Sequence, residues 1–422
     1  MHQIKTQKSN LKRIYFPKGI FFVMLKPMAE KHPKNSLRTW LEIDKKAIRN
    51  NIAQFRKIIS SKTKLMAVIK SNAYGHGLID FARTVENKVD WFGVDSIVEG
   101  LKLRQKGLKG AILVLGYTLP ARLPEAAQND ISLTSSSFEL IKEISALKTR
   151  PKFHIKIDTG MHRQGFFLKD LPRLIKLLKL FKLSPEGIYT HLASAKDRLY
   201  PFYTLKQLKD FKKADAILKK AGFNNYLRHA CATAGTLLYP NSHFDLVRVG
   251  IGLYGMFSTR ETELQMTLPS WSPYGGSLEG RQNQKGLKVQ LQPALSWKSI
   301  IGEVKNLESG SYVGYDLTEK VSKLSRVAII PVGYWHGFDR GLSSIGEILI
   351  KGKRAKILGR VSMDMVVADI SKIPGIKMGD EVIIIGKQGK EKITPEDIAQ
   401  KIGTINYEVI TRINPLIKRI YL

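Results

Sequence analysis

The sequence predicts an α/β protein: a TIM-type (β/α)8 barrel followed by a mostly β C-terminal domain. Three observations carry this expectation. Short β-branched runs alternate with amphipathic patterns over about 215 residues, from Arg38 to Tyr254. After Gly255 the texture changes, first to a stretch rich in Gly, Ser, Pro, Gln and Thr, then to dense strand patterns. The chain has 422 residues, 43% of them hydrophobic and 25% charged, enough for two soluble domains with a sizeable core.

Taken in order, residues 1–38 read as a basic, flexible extension. The apolar run GIFFVML (19–25) follows basic residues as a signal sequence would, but it is minimal in length and no A-x-A-like site follows. The expectation is an extension, or a true start at Met24 or Met28. Residues 39–255 form the barrel segment. Its eight strand runs are LMAVIK (65–70), WFGV (91–94), AILVLGY (111–117), DISLT (130–134), FHIKID (153–158), GIYTHLA (187–193), YLRHACA (226–232) and LVRVGIGLYG (246–255). Helical spacing of apolar residues fills most intervals, as in SFELIKEISALK (137–148) and LIKLLKLF (174–181). Eight such units point to a closed parallel barrel, whose chemistry belongs at the C-terminal ends of its strands. Residues 256–292 read as a linker or insertion. Residues 293–422 form the β-rich domain, with strand patterns at 295–307, 325–334, 347–370 and 380–386. Thr394-Pro395-Glu396-Asp397 announces a helix there through an N-cap, a proline at the first position and an acidic third residue.

Composition excludes several classes. Cys231 is the only cysteine, so there is no disulfide framework, and no C-x-x-C or H-E-x-x-H spacing marks a metal site. No apolar run approaches the ~20 residues of a membrane span. A cytoplasmic protein without membrane partner is expected. The net charge of +33 raises nucleic acid and anionic surfaces as partners. Yet the lysines are spread along the chain on outer helix faces, as in LPRLIKLLKLFKL and LKQLKDFKKADAILKK, and no aromatic-interleaved basic motif of the RNA-binding type is present. They read as a solvated surface, with no nucleic-acid role.

Two motifs carry chemistry. AVIKSNAYGHG (67–77) ends the first barrel strand in Lys70, where desolvation would favour a neutral amine able to form a Schiff base with a carbonyl. Near the end of the eighth strand, Gly250 to Gly255 formally match G-x-G-x-x-G. They lie too late in the barrel for a dinucleotide fingerprint but suit a barrel phosphate site. A lysine for an aldehyde and glycines for a phosphate imply pyridoxal 5'-phosphate as cofactor.

At this point the chain resembles the bacterial alanine racemases, pyridoxal-phosphate enzymes built from a barrel and a β domain. The resemblance runs from TWLEIDKKAIRNNI (39–52) through AVIKSNAYGHG, KIDTGMHRQGF, THLASAKD, VRVGIGLYG, VGYD, PVGYWHG, GRVSMDM and INYEVITRI. It covers the chain except its first 38 residues and the stretch after Gly255.

The resemblance implies that Lys70 carries the cofactor covalently, and that Tyr74, Thr233, Gly250, Ile251 and Tyr407 hold its phosphate through hydroxyl and backbone N–H donors. Arg248 matches the arginine that meets the pyridine nitrogen. A guanidinium donates hydrogen bonds but does not surrender its proton, so the cofactor is a weaker electron sink. His191 matches the histidine beside it. Racemisation removes hydrogen from one face of the α-carbon and returns a proton to the other. Lys70 and Tyr315 match the two acid/base groups. Tyr315 is expected to enter from a second subunit of a homodimer, together with Met363, whose N–H meets the substrate carboxylate. Arg163 matches the arginine that contacts the cofactor phenolic oxygen and that carboxylate. Lys156 matches a lysine that some relatives carbamylate to orient this arginine.

Two departures stand out. Ala232 replaces a common asparagine before Thr233, and His336 stands where an aspartate is usual after Tyr334, the entrance tyrosine, which changes the charge expected there. The activity implied is interconversion of L- and D-alanine, supplying D-alanine for peptidoglycan. The alternative is a racemase for serine, lysine or a broader set of amino acids. Related decarboxylases depend on a cysteine in the β domain, whereas Cys231 lies in the barrel segment.

Overall fold

The computed structural model describes residues 36–197, 201–267 and 289–422. Residues 1–35 of the expected extension and 268–288 of the expected insertion lie outside the described residues.

The barrel strands are β2 (Lys64–Val68), β3 (Trp91–Val94), β4 (Ala111–Val114), β5 (Ile131–Ser135), β6 (Phe153–Lys156), β7 (Gly187–Tyr189), β8 (Leu227–His229) and β9 (Leu246–Val249). All eight fall on the expected runs. They pair in parallel in the order β8-β7-β6-β5-β4-β3-β2-β9. Two backbone hydrogen bonds of 3.0 Å, from Asp245 N–H to Arg228 O and from Arg248 N–H to Cys231 O, bring β9 against β8. Strands covered on both faces read as unbroken apolar runs. Leu65, Met66 and Ala67 of β2 are accordingly fully buried.

The second sheet holds β1 (Thr39–Ile43) and β10 (Leu295–Ile300), with β11 (Glu303–Leu307), β12 (Ser325–Ile330), β13 (Glu347–Ile350), β14 (Lys353–Leu358), β15 (Val366–Asp369), β16 (Glu381–Gln388), β17 (Glu391–Ile393) and β18 (Lys418–Tyr421). Its order is β11-β12-β15-β14-β13-β16-β10-β1-β18, with β17 paired to β16. The barrel segment expected at 39–255 therefore needs correction at its start, since β1 lies antiparallel to β10 and parallel to β18. β3 and β9 already occupy both edges of β2, which leaves β1 no place in the barrel.

From β1 the chain turns into helix Lys45–Ile58. Asp44 caps it by accepting the N–H groups of Lys46 and Ala47, and Ala47, Ile48, Asn51, Ile52 and Phe55 make its buried stripe. Asn51 ties this helix to both layers, donating to Leu253 O at 3.2 Å and Gln292 O at 2.8 Å. The expected helix in the β domain is Pro395–Ile402, with Thr394 and Asp397 forming a reciprocal capping box. One hydrophobic core runs through barrel and sheet. A smaller cluster of Val313, Val321, Val327 and Leu358 supports the turn that carries Tyr315. The lysines of helix Phe202–Lys220 are exposed, as a solvated face requires. Among the described residues no helix is long and apolar enough to cross a membrane.

Candidate active site

β2 delivers Lys70 to the C-terminal mouth of the barrel, and the next four residues fold unusually. Ser71, Asn72, Ala73 and Tyr74 all have φ between +52° and +56°. Left-handed backbone costs an L-residue ~1–2 kcal/mol, so such a run persists only where its surroundings over-determine it. Here Ala73 N–H donates to Ile69 O (2.8 Å) and Gly77 N–H to Asn72 O (2.9 Å). Asn72 Oδ1 accepts Leu78 N–H at 2.9 Å. Glu99 takes Ser71 N–H with one oxygen (2.7 Å) and Asp95 N–H with the other (2.8 Å). The desolvation expected for Lys70 is not found. Its side chain is 38% exposed and its Nζ lies 3.6 Å from Asp95 Oδ1, because the turn aims it into an open mouth.

Facing this turn is a wall of neutral donors. Gly250 and Gly252 donate their N–H groups to Thr233 Oγ1 at 3.2 and 3.4 Å, leaving the threonine's own proton free to donate elsewhere. Tyr407 donates to Ser258 Oγ at 3.2 Å. Burial holds the Tyr74 and Tyr407 phenols above their ordinary range, so both keep their protons. A Cβ on Gly250 would meet the Tyr74 hydroxyl at 2.7 Å, so glycine keeps this cradle open. Behind it, a Cβ on Gly252 would strike the Phe55 ring at 2.4 Å. Hydroxyl and amide donors around a space left by glycine fit a phosphate group.

The third side is cationic. Arg248 on β9 is only 3% exposed and has no carboxylate partner among the described residues. It donates to His229 Nδ1 at 2.7 Å, to Thr190 O at 2.8 Å and to Ala230 O at 3.0 Å, with His191 Nδ1 at 3.4 Å. Burial lowers its pKa to about 10, which leaves it charged near neutrality. Burial, reinforced by the positive charge of Arg248, lowers His191 to about 3 and pushes His229 well down. Both rings are thus neutral acceptors for the guanidinium. His229 continues to His154 at 2.8 Å, whose other nitrogen stands 3.3 Å from Glu186. Tyr189 stacks on His229 with the planes 5° apart. Lys156 is buried against Gln164 Oε1 at 3.2 Å, and burial, then Arg163 and Arg248, lower its pKa to about 8.

The three sides meet in one cavity of about 850 Å³, with His229, His154 and Glu186 lying behind its lining. It gathers Lys70, Tyr74, Arg163, His191, Thr233, Arg248, Gly250, Ile251 and Tyr407, along with Lys156 and Ala232. Asp95 is its only carboxylate among the described residues. Tyr315 and Met363 are not brought there. They are 66% and 54% exposed, on turns of the second sheet joined by the Asp316–Arg360 ion pair (3.5 Å). His336 also differs from expectation. It is buried and its Nδ1 accepts Gly333 N–H at 3.2 Å, so it caps a turn instead of charging an entrance. Sequence reading missed Asp95, Tyr189, Ser258 and the His154–His229 pair. The available signal was a polar residue inside an apolar strand, as in FHIK and LRHA.

Fold and cavity together define a barrel enzyme with a lysine at its mouth and a β domain sharing its core. Residues 43–257 match the family model described as alanine racemase, N-terminal domain, and 294–421 match alanine racemase, C-terminal domain. An alanine racemase of Leptospira interrogans is 41% identical over 393 residues, 92% of this chain and 96% of the relative. One from Methanococcus maripaludis is 35% identical over 91% of this chain and 98% of its own. Among solved structures, an alanine racemase of Clostridium difficile matches with a TM-score of 0.82 and 32% identity, covering 92% of this chain and 96% of that one. The Bacillus anthracis alanine racemase with bound L-Ala-P matches at 0.80 and 33%, covering 92% and 95%. The chain belongs to the alanine racemase family, a family of isomerases.

Proposed function

We propose that this protein interconverts L- and D-alanine with pyridoxal 5'-phosphate held by Lys70, acting as a cytoplasmic homodimer that supplies D-alanine for peptidoglycan. The observation that carries this reading is that Lys70, the donor wall of Tyr74, Thr233, Gly250 and Tyr407, and Arg248 all line one cavity. When bound, the cofactor lowers the barrier to losing the α-hydrogen by spreading the charge left on that carbon.

Lys70 anchors the cofactor, and Tyr74, Thr233, Gly250, Ile251 and Tyr407 take its phosphate. Arg248, fixed by two neutral histidines, donates to the ring nitrogen without protonating it. Arg163 binds the cofactor's phenolic oxygen and, with the N–H of Met363, the substrate carboxylate. The Lys70 amine accepts a proton from the α-carbon on one face, and the phenol of Tyr315 from a second subunit gives one to the other. In the reverse direction the roles exchange. The 66% exposure of Tyr315 suits a residue that completes another subunit's site.

The test is spectroscopic. Purified protein with cofactor is expected to absorb in the visible, and Lys70→Ala to lose that band together with activity by roughly 10²–10⁴-fold or more in a chiral assay. A colourless wild type in excess cofactor overturns the proposal.

A further inference from the structure

The left-handed turn that aims Lys70 and Tyr74 is braced from outside the barrel by β18 of the second sheet. At the turn's exit Gly75 takes φ +83°, and a Cβ there would lie 2.1 Å from Ile410 O, so the loop sits directly on helix Asn406–Thr411. Arg419 donates from Nε to Gly75 O at 3.0 Å. Two residues on, and so on the same face of β18, Tyr421 donates its hydroxyl to His76 O at 3.0 Å. His76 Nδ1 in turn meets Tyr74 O at 3.0 Å.

Arg419 has no carboxylate partner among the described residues. Its other N–H groups go to Asn414 O (2.8 Å), Ile413 O (3.3 Å) and Ile417 O. Burial lowers its pKa to about 10. A planar guanidinium spread over four carbonyls fixes them relative to one another, which a flexible ammonium does not do. The same frame reaches the cofactor wall by a second route. β18 pairs with β1, and the helix after β1 sets Phe55 against Gly252.

We propose that Arg419 and Tyr421 are positioning residues for the active site, holding the strained 71–74 turn so that Lys70 and the Tyr74 hydroxyl meet the cofactor in register. This rests on the reading that the cavity takes pyridoxal phosphate. Without the two donors the carbonyls of Gly75 and His76 lose their partners, and the left-handed residues are free to relax.

The test uses the full chain with cofactor, as wild type, Arg419→Met, Arg419→Lys and Tyr421→Phe. Cofactor affinity and band position are read from the visible spectrum, kcat and KM from racemisation, and integrity from thermal unfolding. Arg419→Met is expected to weaken cofactor binding about tenfold and to lower kcat more than KM changes. Arg419→Lys is expected not to restore it. Tyr421→Phe keeps its ring and is expected to weaken binding about threefold. Folded variants with wild-type affinity, spectrum and kcat overturn the proposal, even where their unfolding temperature drops. Should Arg419→Met fail to fold, unchanged cofactor affinity in Tyr421→Phe is sufficient to overturn it. A wild type that binds no cofactor sinks the functional reading itself, an outcome distinct from equal binding by wild type and variants.

Discussion

Histidines buried as neutral rings give this enzyme an acid liability. His76 lies among Tyr74, Tyr254 and Phe81, and burial lowers its pKa to about 4, while His191 is lowered to about 3. An unfolded chain protonates both near the ordinary value of about 6.5, whereas the native state resists until far lower pH. Their stabilising effect is therefore complete above pH ~6.5 and is lost as pH falls toward 4. At 1.36 kcal/mol per pH unit, His76 alone accounts for roughly 3 kcal/mol over that window. Urea unfolding midpoints should fall steeply between pH 6.5 and 4, and a flat profile would contradict this account. At this scale Lys70 and the glycines were legible, because strand ends and backbone donors have local signatures, whereas Arg248 was singled out only by the family resemblance. The His229 and His154 rings that seat Arg248 were not legible, since parallel pairing of strands far apart in sequence makes them neighbours.

At the level of elements, the glycine stretch after β9 shows how local sequence and distant packing share a site. Its residue types announced a phosphate cradle, but the reason for Gly250 is the Tyr74 hydroxyl from the opposite side of the cavity. Gly250→Ala is expected to push that hydroxyl aside and raise the cofactor dissociation constant about tenfold, with little change in unfolding temperature. Equal affinity in a spectral titration would refute it. The eight barrel strands were readable because each is a short apolar run between helical patterns. The membership of β1 was not readable, because its partners Leu295 to Ser299 and Lys418 to Tyr421 lie more than 250 residues away.

For the whole molecule, the exposed Tyr315 and Met363 are the two proposed site residues that lie outside the cavity. Tyr312, Leu317, Tyr334, Trp335 and Met365 are exposed in the same part of the chain, an apolar set suited to burial by another subunit. If active sites are shared, mixing inactive Lys70→Ala with inactive Tyr315→Phe and allowing subunits to exchange creates heterodimers with one intact site. About one quarter of wild-type activity should return at equal proportions. Complete inactivity after verified exchange would rule out sharing. The role proposed for Tyr315 comes from the family resemblance alone, because a phenol on an exposed turn has no local signature of chemistry.

The brace on the lysine turn carries a consequence for biogenesis. Arg419 is separated from Gly75 by 344 positions, so a ribosome has translated the whole barrel and nearly all of the second sheet before the arginine exists. If the brace acts as proposed, a nascent chain that has assembled β2 to β9 still has a slack lysine loop, and competence to capture the cofactor arrives late, with the strand that locks it.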